Sequence, residues 1–401
     1  MPSSKRLNLQ YSFMQVAFWA ASAALCAYQA ALLLHRGFTN TQVGILLAVR
    51  CLAGVVAQPL LGSYADKHPN HSLKGIVTLC LTVAFFAGLV HLLPMGMAGT
   101  AAVLVVLGAL EISAYPLMDA MAVQFIQAGR QVSYSLGRGF GSLAYAVVSV
   151  LIGLQTDRFG LESSLVTHSA LVLVFIASVV TFPKFDPAWR GSSSKEKEAG
   201  ERPKSALGLL RDNPRFGVML AGVLLGVTAY MAMSNFMINI VRSRGGGETH
   251  LGVTIFVATA FELPAALLFE RLYRRGNAGH IIAAGMAFIT LKAALSLLAP
   301  NYQMVWLLQS VQLLGYGLFT PASVFYVSDA IDPVNQVKGQ TLMMMASNGL
   351  GGMLASALGG CVLDGGGVNA MLWMCVGLGL AATAVTALAA LSGRRKNAPG
   401  T

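Results

Sequence analysis

Long apolar stretches, separated by short polar turns, make up most of the chain. A membrane-spanning helix needs about 20 mostly apolar residues, because each residue adds about 1.5 Å to its length. None of the stretches alternates with period two, so a closed β-barrel is not indicated. The pattern therefore predicts an all-α membrane protein with twelve transmembrane helices, at 11–34, 40–63, 75–94, 99–126, 135–155, 162–182, 215–240, 251–270, 279–298, 302–328, 338–362 and 369–391.

The composition supports a chain whose surface faces lipid. Of its 401 residues, 55% are apolar and only 11% are charged, whereas a soluble domain carries about 25% charged residues. The first apolar stretch, from about Tyr11 to Leu34, is longer than the roughly 7–15 apolar residues of a signal peptide. We therefore expect it to be an uncleaved first helix.

One long polar segment, residues 183–214, separates six predicted helices from the next six. It includes the mixed-charge run 195–198, and we expect it to be a mobile linker. The predicted organisation is an N-terminal six-helix half at 1–182, a cytoplasmic linker at 183–214 and a C-terminal six-helix half at 215–401. Secondary transporters are commonly built from two such halves in a parallel repeat, with the substrate site at their interface.

The basic residues predict the orientation in the membrane. The formal net charge is +11, and the Lys and Arg residues are concentrated in alternate loops rather than in one patch. If the N-terminus is cytoplasmic, twenty of the 27 Lys and Arg residues fall in cytoplasmic segments and four in external loops. Both termini are therefore predicted to be cytoplasmic, and nucleic-acid binding is not indicated. The short loops are typical of a bacterial inner-membrane protein, which is the expected location.

Several motifs resemble those of one transporter family. The stretch Gly62-Ser-Tyr-Ala-Asp66-Lys67 resembles the G-x-x-x-D-R/K signature between helices 2 and 3 of the major facilitator superfamily. Other segments resemble its lactose permease group, and especially the phenylpropionate and nucleoside permease branch: Thr41 to Lys67, Pro116 to Asp119, Gly137 to Gly141, Glu262-Leu-Pro264, Gly339-Gln340 and Gly349 to Gly360. The resemblance implies the major facilitator fold and transport by alternating access.

The signature motif also implies a gate. By resemblance, Asp66 and Lys67 would hold the cytoplasmic side shut, with Asp66 near the end of another helix. Gly62 would allow a close helix contact at the same place.

Six charged residues lie within the predicted spans: Arg50, Glu111, Asp119, Arg138, Glu262 and Lys292. A charge at the centre of a bilayer costs about 2.5–3.5 kcal/mol on insertion scales unless it is paired or faces water. The six residues are therefore predicted to line a polar cavity. The alternative is a set of structural ion pairs that fixes the register of the helices. His91 and His168 are expected near helix ends, without a chemical role.

Asp119 and Arg138 are the predicted substrate-binding residues. In lactose permease, the acid at the position of Asp119 and the Arg at the position of Arg138 bind the sugar, so the resemblance implies the same roles here. The two residues stand on consecutive antiparallel helices, about 7 Å apart in height, so that long side chains can bridge part of the gap. Gln312 on helix 10 is a further candidate that binds either the substrate or a neighbouring helix.

Glu262 and Lys292 are the predicted proton-coupling pair. Glu262 aligns with the acid that takes the proton in lactose permease, and Lys292 lies where that family has a coupling Arg. Glu111 is a further candidate, about 12 Å along its helix from Asp119. Helix 10 has Gln312 and Gly315 where lactose permease has its coupling His and Glu. Uniport therefore remains an alternative to proton coupling.

The sequence as a whole predicts a proton-coupled symporter of a sugar, nucleoside or aromatic acid, working as a monomer. A uniporter or a drug or metabolite exporter of the same fold is the alternative, although helix 5 lacks the Pro of the exporter motif. No Gly-Lys-Ser/Thr sequence follows a glycine-rich loop, so an ATP-driven pump is not indicated, and no metal-ligand or nucleophile–base arrangement occurs in the spans. We therefore expect neither an enzyme nor a cofactor.

Overall fold

The computed structural model describes residues 3–68, 70–186 and 205–391. Within them it contains α-helices and no β-strand, which confirms the predicted all-α class. The helices are α1 Ser4–Ser22, α2 Gln29–His35, α3 Asn40–Lys67, α4 Leu73–His91, α5 Met97–Gln127, α6 Tyr134–Phe159, α7 Ser163–Thr181, α8 Ala206–Asp212, α9 Pro214–Asn235, α10 Met237–Ser243, α11 Glu248–Ala260, α12 Glu262–Arg275, α13 Ala278–Leu297, α14 Tyr302–Leu308, α15 Tyr316–Ala330, α16 Gln336–Met344 and α17 Gly352–Leu391.

Nine helical stretches in the described part of the chain are long and apolar enough to cross a membrane. The last of them, Pro333–Leu391, contains two of the predicted spans. These two spans are separated at Gly367, whose φ of 72° is a left-handed conformation that favours glycine. Predicted helices 8 and 10 are each divided into shorter pieces, so the count of twelve spans stays a prediction.

Proline explains why predicted helix 8 is divided. Pro264 cannot donate a hydrogen bond, and its ring clashes with the carbonyl four residues earlier in a helix, which is that of Ala260. Helix α11 ends at Ala260, and α12 begins at Glu262, so that Pro264 lies in a first turn where proline is tolerated. The break fixes Glu262 at the start of a helix rather than inside one.

The described residues form two compact units, one within Met1–Ala199 and Gly245–Ala260, the other within Gly200–Arg244 and Phe261–Thr401. Helix α11 thus belongs to the first unit and α12 to the second. The division into halves at 1–182 and 215–401 stays a prediction.

Most of the predicted linker at 183–214 lies outside the described residues, but its end forms helix α8 with Leu209 buried. That end is therefore ordered, contrary to expectation.

The first unit packs around an apolar core between α1, α4, α5 and α7. Tyr11, Met118, Phe125 and Phe175 are all buried in it. Helices α3 and α5 approach closely through Gly54, because a Cβ there would lie 2.6 Å from the Ile112 side chain. This close contact brings the charged side chains of the two helices together.

The second unit is organised around α9, which packs against α17 and α13. Met219, Val223 and Val227 of α9 are fully buried in these contacts. Large apolar side chains also remain exposed on the outer faces of both units, including Leu79, Leu151 and Leu380. Exposed apolar side chains of this size are expected where a helix faces lipid.

Candidate functional site

A polar cluster in the first unit is centred on Asp119 of α5. The Tyr11 hydroxyl and the Gln15 Nε2 each donate to Asp119 Oδ1 at 2.8 Å, and the Tyr134 hydroxyl donates to Oδ2 at 2.9 Å. Three donors of this kind stabilise an ionised carboxylate within the membrane span without a cation. Helices α1, α5 and α6 each contribute to this site, which we call the Asp119 cluster.

Arg138 of α6 lies beside this cluster and stacks on aromatic rings. Its Cζ atom lies 4.0 Å from the centroid of the Trp19 ring and 5.4 Å from that of Tyr115. Trp19 is held by a hydrogen bond from its Nε1 to Gln15 Oε1 at 3.1 Å, and its ring packs directly against Gly141, where a larger residue would collide with it. The buried Nη1 of Arg138 has no hydrogen-bond partner in the described part of the chain.

Asp119 and Arg138 therefore belong to one site but do not form an ion pair within 4.0 Å of each other. The ion pairs between described residues involve other groups. Asp119 is occupied by hydroxyl and amide donors, whereas Arg138 keeps guanidinium donors available. The site combines a flat aromatic surface, a carboxylate and a planar donor fork, which is suited to a small polar solute.

A second polar cluster, in the second unit, is centred on Gln312. The Lys292 ammonium donates to Gln312 Oε1 at 2.8 Å, and Gln312 Nε2 donates to Glu262 Oε1 at 3.1 Å and to the Tyr230 hydroxyl at 2.8 Å. An ammonium can only donate and a carboxylate can only accept, so this orientation of the amide is the one that satisfies both. Gln312 therefore bridges the two charged residues of the predicted coupling pair.

The backbone of helix 10 positions Gln312 for this role. Gln312 lies in a 3-10 segment, Gln309–Leu313, between α14 and α15. Lys292 and Gln312 are 4% and 5% exposed, so the bridge is enclosed by protein. The Tyr230 ring stacks on Tyr316 with a centroid separation of 4.1 Å, which fixes its hydroxyl towards Gln312. We call this the Gln312 cluster.

Glu111 belongs to a third cluster, which the sequence did not predict as a whole. Its Oε2 lies 3.5 Å from Arg50 Nη2, and its Oε1 lies 3.0 Å from Nε2 of His168 on α7. Arg50 also donates to Gln29 Oε1 at 3.3 Å and contacts Cys26 Sγ at 3.2 Å. His168 was expected near a helix end without a role, but it is fully buried against a carboxylate.

The predicted gate residues lie at the end of α3. Asp66 and Lys67 are exposed, and nothing lies within 4 Å of a Cβ placed at Gly62. Among the described residues, the close helix contact expected at Gly62 is therefore not formed. The gate function of the three residues stays a prediction.

A cavity of about 800 Å³ lies at one end of the second unit, and none of the predicted site residues lines it. Its walls include Arg215, Tyr326 and Asp329, and the Tyr273 hydroxyl donates to Asp329 Oδ1 at 2.9 Å. Among the described residues, no group of three or more His, Cys, Asp or Glu side chains is arranged to hold a metal ion.

Sequence reasoning missed Tyr11, Gln15, Tyr134 and His168. Tyr11, Gln15 and Trp19 recur every four residues on α1, so a search for polar and aromatic side chains on one helix face would have found that stripe. No such pattern marks Tyr134 or His168, because their roles depend on which helices are neighbours in space.

The chain matches the family described as "MFS_1 like family" over residues 8–373. It is 23% identical to a maltose permease of Geobacillus stearothermophilus over 336 residues, covering 81% of this chain and 80% of that protein. It is also 23% identical to a putative sugar efflux transporter of Deinococcus radiodurans, covering 86% and 88% of the two chains.

Two solved structures share the fold. The nucleoside transporter NupG superposes with a TM-score of 0.80 at 16% identity, covering 97% of this chain and 100% of that one. A bacterial homolog of the human lysosomal transporter Spinster superposes with a TM-score of 0.67 at 13% identity, covering 98% and 96%. Together with the family match over most of the chain, this places a multi-pass membrane protein among transporters rather than enzymes. The chain belongs to the MFS_1 like family of the major facilitator superfamily.

Proposed function

We propose that the protein is a proton-coupled symporter of a small polar organic solute, a sugar, nucleoside or aromatic acid, and that it works by alternating access. The observation that carries this proposal is the arrangement of Arg138 beside the Asp119 cluster, stacked on Trp19 with a buried Nη1 that has no partner among the described residues. A buried guanidinium N–H without a partner in a membrane span is costly unless a ligand uses it. Aromatic rings beside it offer a surface for a sugar or base ring.

The Gln312 cluster supplies the proposed proton coupling. Glu262 carries the proton, and Lys292 responds to its charge through Gln312. Protonation of Glu262 replaces a charge-assisted hydrogen bond from Gln312 with a weaker neutral one, so proton binding loosens the bridge. Coupling in this arrangement needs one carboxylate and one cation, which is consistent with the absence of the helix 10 His and Glu of lactose permease.

The relatives support the proposed substrate class. One is named a maltose permease and another a putative sugar efflux transporter, while a solved structure of the same fold is a nucleoside transporter. Sugars and nucleosides both carry several hydroxyl groups on a ring, which is the chemistry that Arg138, Asp119 and Trp19 can recognise together. Export is the second candidate function, favoured by the efflux name of one relative.

The experiment that tests this proposal is uptake by proteoliposomes of labelled sugars, nucleosides and aromatic acids, with a proton gradient imposed in either direction. Accumulation of one compound on the side with fewer protons supports symport, whereas accumulation on the opposite side supports export. If a compound equilibrates across the membrane without accumulating, the protein is a uniporter rather than a symporter. If no compound is taken up above the level seen with empty liposomes, the proposal that the protein transports this solute class is wrong.

The expected setting is a bacterial inner membrane, with both termini in the cytoplasm and the protein working as a monomer. The lipid bilayer and the solute are its partners, together with the proton. Asp66 and Lys67 lie at the end of α3, on the side that the predicted orientation makes cytoplasmic, and we propose them with Gly62 as the gate.

A further inference from the structure

The cluster of Arg50, Glu111 and His168 lies outside both sites used above. It joins three helices of the first unit, with Arg50 on α3, Glu111 on α5 and His168 on α7. The Arg50 and Glu111 side chains are each 12% exposed and the His168 side chain is 1% exposed. A buried group of this kind needs partners for all of its charges and hydrogen-bonding atoms.

The two ring nitrogens of His168 face different kinds of partner. Nδ1 lies 3.0 Å from the backbone carbonyl oxygen of Ala21. A carbonyl can only accept a hydrogen bond, so Nδ1 must carry a proton. Nε2 lies 3.0 Å from Glu111 Oε1, and neither of these two atoms has another hydrogen-bond partner among the described residues.

This contact requires a second proton. If the imidazole were neutral and Glu111 ionised, the lone pairs of Nε2 and Oε1 would face each other at 3.0 Å in a buried place, which is repulsive. A proton on either atom removes the conflict. The Arg50 guanidinium, 3.5 Å from Oε2, favours the ionised carboxylate, so the proton resides on the imidazole.

We infer that His168 and Glu111 form a proton-binding site of the first unit, separate from Glu262, and that its occupancy sets the pH dependence of the protein. The charged groups facing His168 are Glu111 on α5 and Arg50 on α3, while His91 on α4 lies near enough to interact with it electrostatically. Loss of the proton leaves the two lone pairs opposed, and α7 and α5 are then no longer held together at this point. Transport slows as the proton is lost, and this effect rests on the transport function proposed above.

The test is the apparent melting temperature of the purified full chain in detergent between pH 5 and pH 9. Because the folded contact holds the proton, raising the pH is expected to remove stability from the wild type. The expected loss is ~2–4 °C, and it is expected to be absent in His168→Gln. His35→Gln is the matched control, because His35 is exposed at the end of α2, and it should keep the wild-type pH profile.

A second variant covers the case in which His168→Gln does not fold. In Glu111→Gln, the amide N–H can donate to a neutral imidazole, so the extra proton is no longer needed and the pH-dependent step should disappear. If the melting temperature depends on pH in the same way in the wild type and in whichever variant folds, His168→Gln or Glu111→Gln, the proposed site is wrong. This measurement needs no substrate, so it stands even if the proposed symport fails.

Once a substrate is known, a second measurement is the rate at which the labelled compound exchanges across the membrane when the pH is the same on both sides. The exchange rate of the wild type is expected to fall with rising pH, and His168→Gln is expected to lose this dependence while it still accumulates substrate against a gradient. A variant that keeps the wild-type pH profile of exchange would contradict the inference.

Discussion

At the scale of single residues, the charges of the Asp119 and Gln312 clusters and of Arg138 are stabilised by three different kinds of contact. Asp119 accepts hydrogen bonds from neutral donors, Arg138 stacks on rings, and Lys292 donates to an amide that also binds Glu262. Each charge would cost about 2.5–3.5 kcal/mol at the bilayer centre if it were isolated. Arg138 also has a buried Nη1 without a hydrogen-bond partner among the described residues, as expected of a group that binds a ligand.

Arg138→Lys is expected to weaken substrate binding while leaving the fold intact. Lysine keeps the charge but loses the planar fork and the stacking on Trp19. Loss of one charge-assisted hydrogen bond costs about 1.5–3 kcal/mol, or about 10- to 100-fold in affinity. The measurement is the dissociation constant of the transported compound, with Arg158→Lys, at an exposed position, as the matched control. Wild-type affinity in Arg138→Lys would remove Arg138 from the substrate site.

Gln312→Leu is expected to lower stability, because it leaves the Lys292 ammonium and the Glu262 carboxylate without their shared partner. A buried group left unsatisfied costs about 1–3 kcal/mol. Adding Lys292→Met removes the ammonium as well, so the double variant should be destabilised by less than the sum of the two single variants. Melting temperatures of the four proteins in detergent measure this coupling, and strictly additive losses would show that the bridge does not form.

At the scale of elements, glycine and proline decide where the helices meet and where they end. Gly54 allows α3 to approach α5, and this contact brings Arg50 next to Glu111. Pro264 ends α11 before Glu262. These local effects explain how apolar helices with little charge still place charged side chains in specific pairs.

Gly54→Ala is expected to destabilise the protein, because the new Cβ would lie 2.6 Å from the Ile112 side chain and 3.0 Å from the Gly108 carbonyl oxygen. Overpacking of this kind costs about 1–3 kcal/mol. Gly377→Ala in α17 is the matched control, since nothing lies within 4 Å of a Cβ there, and it should be neutral or slightly stabilising. Equal melting temperatures for the two variants would contradict the close packing of α3 on α5.

At the scale of the whole molecule, the hydrophobic pattern was sufficient to predict the class of the fold. Each predicted span is mostly helical, because a spanning segment must satisfy all of its backbone groups internally, although those at 251–270 and 302–328 are divided. The pattern did not predict the division of helix 10 at Gln309–Leu313, because this segment is short, contains no Gly or Pro and has apolar residues on both sides. The sequence also indicated the charged candidates, but not His168, whose role arises from contacts between α7, α5 and α1 that are distant in sequence.

The predicted orientation can be tested with fusions in bacterial cells. Because the basic residues are concentrated in the loops on one side, green fluorescent protein fused to the C-terminus is expected to fluoresce in the cytoplasm. Alkaline phosphatase fused at the same place should be inactive. The same enzyme fused after Gly37, in the predicted first external turn, should be active. The reverse pattern would show that the topology is the opposite of the predicted one.

The central claim is that Glu262 carries the coupled proton while the first unit binds the solute. The most direct measurement is the pH outside proteoliposomes when the transported compound is added, for wild type beside Glu262→Gln. Symport predicts external alkalinisation with the wild type, and none with Glu262→Gln even though the variant still exchanges labelled compound. Substrate exchange by the wild type without any change in pH would contradict proton coupling and leave a uniporter.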